Sequence, residues 1–276
     1  MDTPLSPSAT PASRAFADHL DRMFGTGERL VKDEPHVKVW RCAEGGVRYF
    51  RKQYLRYGDI DLSFWTDREE QVLTALNMGR LGLKHVQVFK SRGQSADRAQ
   101  RQLETWDAGP DGDQWQQVPV ARDGHRLAHP FMDCGHWFGL GRWLLMALEG
   151  VHALGFVHAD LKGDNFCLPA NRDGIAADSY PERIRLEWKE LKLIDFAFSV
   201  WEKRLPLDED TPLPIGISEY RYQSAQLLAA LTAGGSPAPD LGPTRGLDWR
   251  VDLYSLGFML GQILKEVEKR CLPEDG

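Results

Sequence analysis

A chain of 276 residues with 42% hydrophobic and 27% charged side chains has the balance of an ordinary globular protein, long enough for one large domain or two lobes. Its net charge of −6, from 34 basic and 40 acidic side chains, offers no broad basic surface for nucleic acid. Four scattered cysteines (Cys42, Cys134, Cys167, Cys271) without Cys-x-x-Cys spacing give neither a zinc site nor a disulfide framework, which fits a reducing, cytoplasmic setting. No apolar run approaches the ~20 residues of a membrane span, and the N-terminus lacks the apolar stretch of a signal peptide.

Residues 1–14 are rich in Ser, Thr and Pro and are expected to form a disordered tail, of a kind that also suits delivery into a host cell. Ala15–Phe24 carries a helical apolar pattern through Phe16, Leu20 and Met23. From Glu28 to Tyr54 the pattern turns to strands. Arg29–Lys32, Val37–Cys42 and Val47–Tyr54 are rich in Val, Tyr, Trp and Phe, and Ala43-Glu44-Gly45-Gly46 between the last two is a hairpin signal. Lys52 stands near the end of the third strand, where a lysine taken alone is normally exposed. Thr66–Leu76 reads as a helix in which Val72, Leu73 and Leu76 follow Glu69 at offsets of 3, 4 and 7, placing that carboxylate on the inward face. Thr66 and Glu69 also spell a capping box, in which Glu69 would tie back the helix start. Glu70 is the alternative inward acid.

Val86–Lys90 is expected to be a fourth strand, residues 91–124 a polar insertion or long hairpin, and His125–Met132 the next strand. Asp133-Cys134-Gly135-His136 has loop chemistry. Gly141–Leu154 reads as a helix with Leu144, Leu148, Val151 and His152 on one side and Gly155 as its stop. The stretch GFVHADLKGDNFCL (155–168) then packs polar groups into one loop between apolar ends. Its spacing suits phosphoryl transfer: Asp160 to orient and deprotonate an attacking hydroxyl, Lys162 to neutralise the moving phosphoryl group, Asn165 to offer an amide oxygen to magnesium. A polar loop that satisfies only its own backbone is the plainer reading of that motif alone. Residues 169–190 read as a second insertion. Leu191–Ile194 is a short strand ended by Asp195-Phe196-Ala197, where Asp195 either starts a turn or ligates a metal. Residues 200–215 are irregular and acidic, and 231–247 are rich in Gly and Pro. Asp248 caps a helix in which Leu253, Leu256, Leu260, Ile263 and Val267 recur at helical spacing, and Asp252 inside it needs a hydrogen-bond partner.

Taken in order, Lys52, Glu69, His158–Asn165, Asp195 and Asp252 resemble the landmarks of the serine/threonine protein kinase family, over roughly residues 28–270. The resemblance implies an α+β, bilobal protein-kinase-like fold: a β-rich N-lobe (15–132) and a shortened, mainly helical C-lobe (133–276). It implies ATP-dependent transfer of the γ-phosphoryl group to a protein hydroxyl. Lys52 would grip the phosphates, braced by Glu69; Asp160 would act as base beside Lys162; Asn165 and Asp195 would hold Mg2+ or Mn2+; and Asp133 and Cys134 would form the hinge against the adenine. Four departures accompany it. Asp33-Glu34-Pro35-His36 has no glycine where a phosphate-covering loop is expected, with Gly25-Thr26-Gly27 as the substitute. Ala159 replaces the arginine that pairs with activation-loop phosphate, Gln226 replaces a glutamate, and the later C-lobe helices are missing. The pattern is similar to reduced bacterial effector kinases, with a protein substrate and an activating partner covering the shortened C-lobe. The rival readings are a pseudokinase interaction module and a small-molecule phosphotransferase; the Asp252 helix is a feature the latter generally lack.

Overall fold

Alternating apolar residues and a two-glycine turn fold the first described segment into an antiparallel meander. Strands β1 (Arg29–Asp33), β2 (Val37–Glu44) and β3 (Val47–Tyr54) pair in sequence, and Gly45 and Gly46 take φ of 58° and 81° to close the β2–β3 hairpin opposite Glu44 and Val47. Both φ values suit the tight turn that matches strand twist and are open to glycine without strain. This computed structural model describes residues 28–57, 60–78, 83–94, 101–117, 121–123, 126–128, 134–171, 185–201 and 248–271. The expected tail, the 15–24 helix, Gly25–Gly27, the segment 202–247 with Gln226, and Asp133 lie outside them.

Helix α1 (Ser63–Met78) crosses the sheet and buries Trp65, Val72, Leu73 and Leu76. It begins at Ser63, ahead of the expected Thr66, so Glu69 falls in the second turn. The Thr66–Glu69 capping box is therefore corrected: Glu69 has no helix start to tie back. Strands β4 (Phe89–Gln94) and β5 (Arg101–Trp106) complete a five-stranded sheet of order β1-β2-β3-β5-β4.

Of the two readings of 91–124, the long hairpin holds: β4 and β5 pair antiparallel, and β5 is the strand that joins β3. The expected strand at His125–Met132 is corrected: Arg126–Ala128, within it, pairs with Ala121–Asp123 in a separate small ribbon. Polar letters hid β5. Its Gln102 and Glu104 are buried because strands on either side supply partners: Gln102 donates to Gln53 at 3.3 Å, and Glu104 accepts from Arg51 at 3.0 Å, Lys90 at 2.9 Å and Ser91 at 2.6 Å. A buried carboxylate so surrounded is stable where an unpaired one would not be.

The chain leaves the sheet through Asp107–Pro110 and enters the short helix α2 (Gly112–Gln116), capped by Asp111 and Gln114 in a reciprocal box. Trp115 of α2 is fully buried and donates to the Leu168 carbonyl at 2.8 Å, so this helix packs beside the stretch that carries Leu168. Helix α3 (Cys134–Ala153) follows, then the short strands β6 (Phe156–Val157), β7 (Phe166–Cys167), β8 (Lys192–Leu193) and β9 (Val200–Trp201), with β6 on β9 and β7 on β8. The last helix, α4 (Arg250–Cys271), starts after Asp248, whose carboxylate accepts the Arg250 N–H at 2.9 Å. One apolar core runs through both halves, from Leu73 and Leu76 of α1 to Leu144, Leu148 and Val151 of α3 and Leu256, Met259 and Ile263 of α4. The site lies above it, where sheet and helices meet.

Candidate active site

The loop 158–165 owes its shape to a residue almost a hundred positions away. Asp252 is fully buried in the first turn of α4, and its carboxylate accepts the backbone N–H groups of His158 and Ala159, each at 2.8 Å, with His152 Nε2 at 2.8 Å on the same group. Ala159 has φ 64°, and Asp195, the other described non-glycine residue in that region, has φ 61°. Such conformations cost of order 1–2 kcal/mol and persist where surrounding bonds over-determine them. Here they are held by Asp252 below and by the His158 ring, whose Nε2 meets the Ile194 carbonyl at 3.0 Å. Ser199 Oγ donates to the His158 carbonyl at 3.0 Å, closing the loop from the other side.

Asp160 and Asn165 are tied together by hydrogen bonds. Asn165 Nδ2 donates to the Asp160 carbonyl at 2.7 Å and to its carboxylate at 2.8 Å, so the Asn165 amide oxygen is the atom left for a cation. Burial pushes the Asp160 carboxyl above its usual range, and Lys162, with Nζ 3.5 Å from Oδ2, opposes that shift. Lys162 also lies 3.6 Å from Asp164; burial works against its charge, but Asp160 and Asp164 outweigh it and hold the pKa well above the ordinary value.

Across the cleft, Lys52 Nζ sits 3.1 Å from Glu69 Oε2 and 2.6 Å from Asp195 Oδ1. Strand β3 aims the lysine inward, α1 presents Glu69, and the end of β8 brings Asp195, so three segments far apart in sequence meet at one ammonium group. Burial alone would lower the Lys52 pKa; Asp195 and Glu69 together hold it above the usual value. Lys52 in turn holds Asp195 ionised far below the ordinary carboxylate range despite burial. Glu69 is pushed up by its burial, against the pull of Lys52, and accepts also from the Tyr54 hydroxyl and the Phe196 N–H, each at 3.3 Å. Glu70, the alternative, pairs instead with Arg92 at 3.3 Å.

Lys52, Glu69, Asn165 and Asp195 line one cavity of about 270 Å³, and Asp160 and Lys162 line an adjoining one of about 220 Å³ that also reaches Lys52 and Asp195. Of the expected hinge pair, Asp133 lies outside the described residues and only the backbone of Cys134 is described. Cys134 is the first residue of α3, and Thr105, Gly109, Asp111 and Gln114, in and after β5, are among the residues that line the cavity. Reading that lining from sequence required placing β5 first. At the other rim the β1–β2 turn brings Glu34 over the cleft, where Lys32 at 3.3 Å and His36 at 3.2 Å accompany its carboxylate. Asn165 and Asp195 suit a hard divalent cation, with one amide oxygen and one ionised carboxylate on the same cavity.

No family model and no curated protein sequence matches the chain. Many solved structures match its fold. One, a crystal structure described as PF14_0431, kinase domain, superposes with a TM-score of 0.53 at 16% identity. That match covers 87% of this chain, and the chain spans 65% of the length of that solved domain. The fold is therefore kinase-like: a five-stranded sheet over a helical half, with the cleft between them.

Proposed function

We propose that the protein is a nucleoside-triphosphate-dependent protein kinase acting on serine or threonine hydroxyls, with ATP and magnesium as the donor and metal the sequence resemblance implies. The observation that carries this is the three-way contact of Lys52 with Glu69 and Asp195, formed across the cleft from the linked pair Asp160 and Asn165. Lys52 would hold phosphate oxygens, and Glu69 keeps the ammonium in place. Asp160 accepts the proton of an attacking hydroxyl, and Lys162 beside it offsets negative charge on the phosphoryl group. Asn165 and Asp195 would hold the divalent ion, which neutralises charge on the phosphates when bound. Catalysis on this plan comes from positioning and electrostatics. Incubation with γ-labelled nucleotide, magnesium and a generic protein acceptor tests it, with Asp160→Asn as control. Label on the acceptor from wild type and at least about a hundredfold less from the variant is the expected result; equal transfer ends the catalytic assignment.

The glycine-free turn carrying Glu34 over the cleft favours one second reading, a kinase-like interaction module without transfer. Absence of label with any acceptor, together with intact folding, would select it. Phosphate found only on a metabolite would select a small-molecule phosphotransferase.

A further inference from the structure

Helix α3 is apolar on two opposite sides, and the core uses one of them. Leu140, Leu144, Ala147, Leu148 and Val151 face inward. Phe138, Leu145 and Met146 stand on the other side and are 69%, 48% and 40% exposed. At about 3.6 residues per turn they share one stripe with Arg142, Glu149 and Ala153, which are exposed as well. Trp249 and Leu253 flank Asp252, whose carboxylate meets His152, so they wall the stripe beside the C-terminal end of α3. The groove so formed has a volume of about 910 Å³, and an exposed apolar surface of this kind marks a place of interaction. Among the described residues it shares no lining side chain with either cavity of the cleft, so its occupant is independent of the proposed function. Arg142 and Glu149 are the only Lys, Arg, Asp or Glu residues of α3, and among the described residues neither has an ion-pair partner. Arg142 stands three residues before Leu145, and Glu149 three after Met146; Phe138 stands seven before and Ala153 seven after. Reversed, the stripe is its own complement: cation meets anion, a large ring meets a small side chain, and Leu145 meets Met146.

We propose that this face binds a second copy of the chain, with the two α3 helices antiparallel across a two-fold axis at Leu145 and Met146. Such an axis repeats every contact, so Arg142 of each copy pairs with Glu149 of the other. Phe138 of each copy enters the other's groove beside Ala153, against Trp249 and Leu253. A parallel arrangement would set Arg142 on Arg142 and Glu149 on Glu149, which like-charge repulsion disfavours. One cation and one anion leave α3 without net charge, which suits a second copy better than an anionic lipid surface. Sedimentation velocity of the full chain tests the pairing, and at about 100 µM the expected mass is twice the 31.3 kDa of one chain. Arg142→Glu and Glu149→Arg, checked for folding by circular dichroism, should each weaken the dimer by at least about tenfold, because each sets a like-charged pair on both sides of the axis. The double variant Arg142→Glu/Glu149→Arg restores opposite charges and should return the dissociation constant to within about threefold of wild type, a rescue that general destabilisation cannot give. A wild-type dimer that neither single variant weakens would place the contact on another face and overturn the proposal. Single variants that weaken it without rescue by the double would overturn it as well. A monomer at about 100 µM would also overturn it, leaving the face to another segment of this chain or to a different protein.

Discussion

Replacing Asp252 with Asn tests whether the loop geometry depends on one buried carboxylate. The wild-type group accepts three times: from His158 N–H and His152 Nε2 on Oδ2, and from Ala159 N–H on Oδ1, each at 2.8 Å. Asparagine keeps one accepting oxygen and turns an NH2 toward a backbone N–H in either orientation. A hydrogen bond to a charged acceptor contributes about 1.5–3 kcal/mol, and a buried N–H left facing another donor costs about 1–3 kcal/mol more. With the neighbouring Ala159 at φ 64° no longer clamped, the total is about 3 kcal/mol. At a urea slope near 2 kcal/mol per molar, the unfolding midpoint should drop by about 1.5 M with the slope unchanged. Hydrogen exchange at the His158 and Ala159 amides should accelerate with it. A midpoint within about 0.3 M of wild type would refute the claim that these bonds hold the loop.

Three further outcomes follow from other contacts. Gly112→Ala would place a Cβ 2.2 Å from the Phe166 ring and 2.5 Å from the Gly163 carbonyl, so thermal melting should show a loss of about 2 kcal/mol or more. The Asp111 carboxyl is pushed up to about 7 by burial, with Asp113 and Asp164 adding to the shift. Because the folded pKa exceeds the unfolded value near 3.9, its stabilising contribution is complete below that value and is lost as pH rises through about 7. Wild type should lose about 2 kcal/mol between pH 5.5 and 8 that Asp111→Asn, still a good N-cap, does not lose; parallel stability–pH curves would contradict this. Glu69→Gln removes the carboxylate shared by Lys52, Tyr54 and Phe196, and phosphoryl transfer should fall by about ten- to a hundredfold with the fold retained, read by steady-state kinetics beside circular dichroism.

Local chemistry settled a good part of this molecule. The three opening strands, the Gly45-Gly46 turn, the inward face of Glu69 and the helix behind Asp252 follow from side-chain period and turn preference, which act over a few residues and are therefore legible in one dimension. The partner that a buried Asp252 needs could be anticipated on the same ground, since an unpaired carboxylate there would be too costly. Packing across the sheet decided the rest. Strand β5 reads as polar because Glu104 is neutralised by Arg51, Lys90 and Ser91 from its neighbours, and no local pattern announces such partners. That one strand fixes where the chain crosses to the helices, and so brings Thr105, Gly109 and Asp111 to the cleft. Arg41 looks like any strand arginine, yet the fold buries it, because burial is a property of the assembled layers and not of the residue.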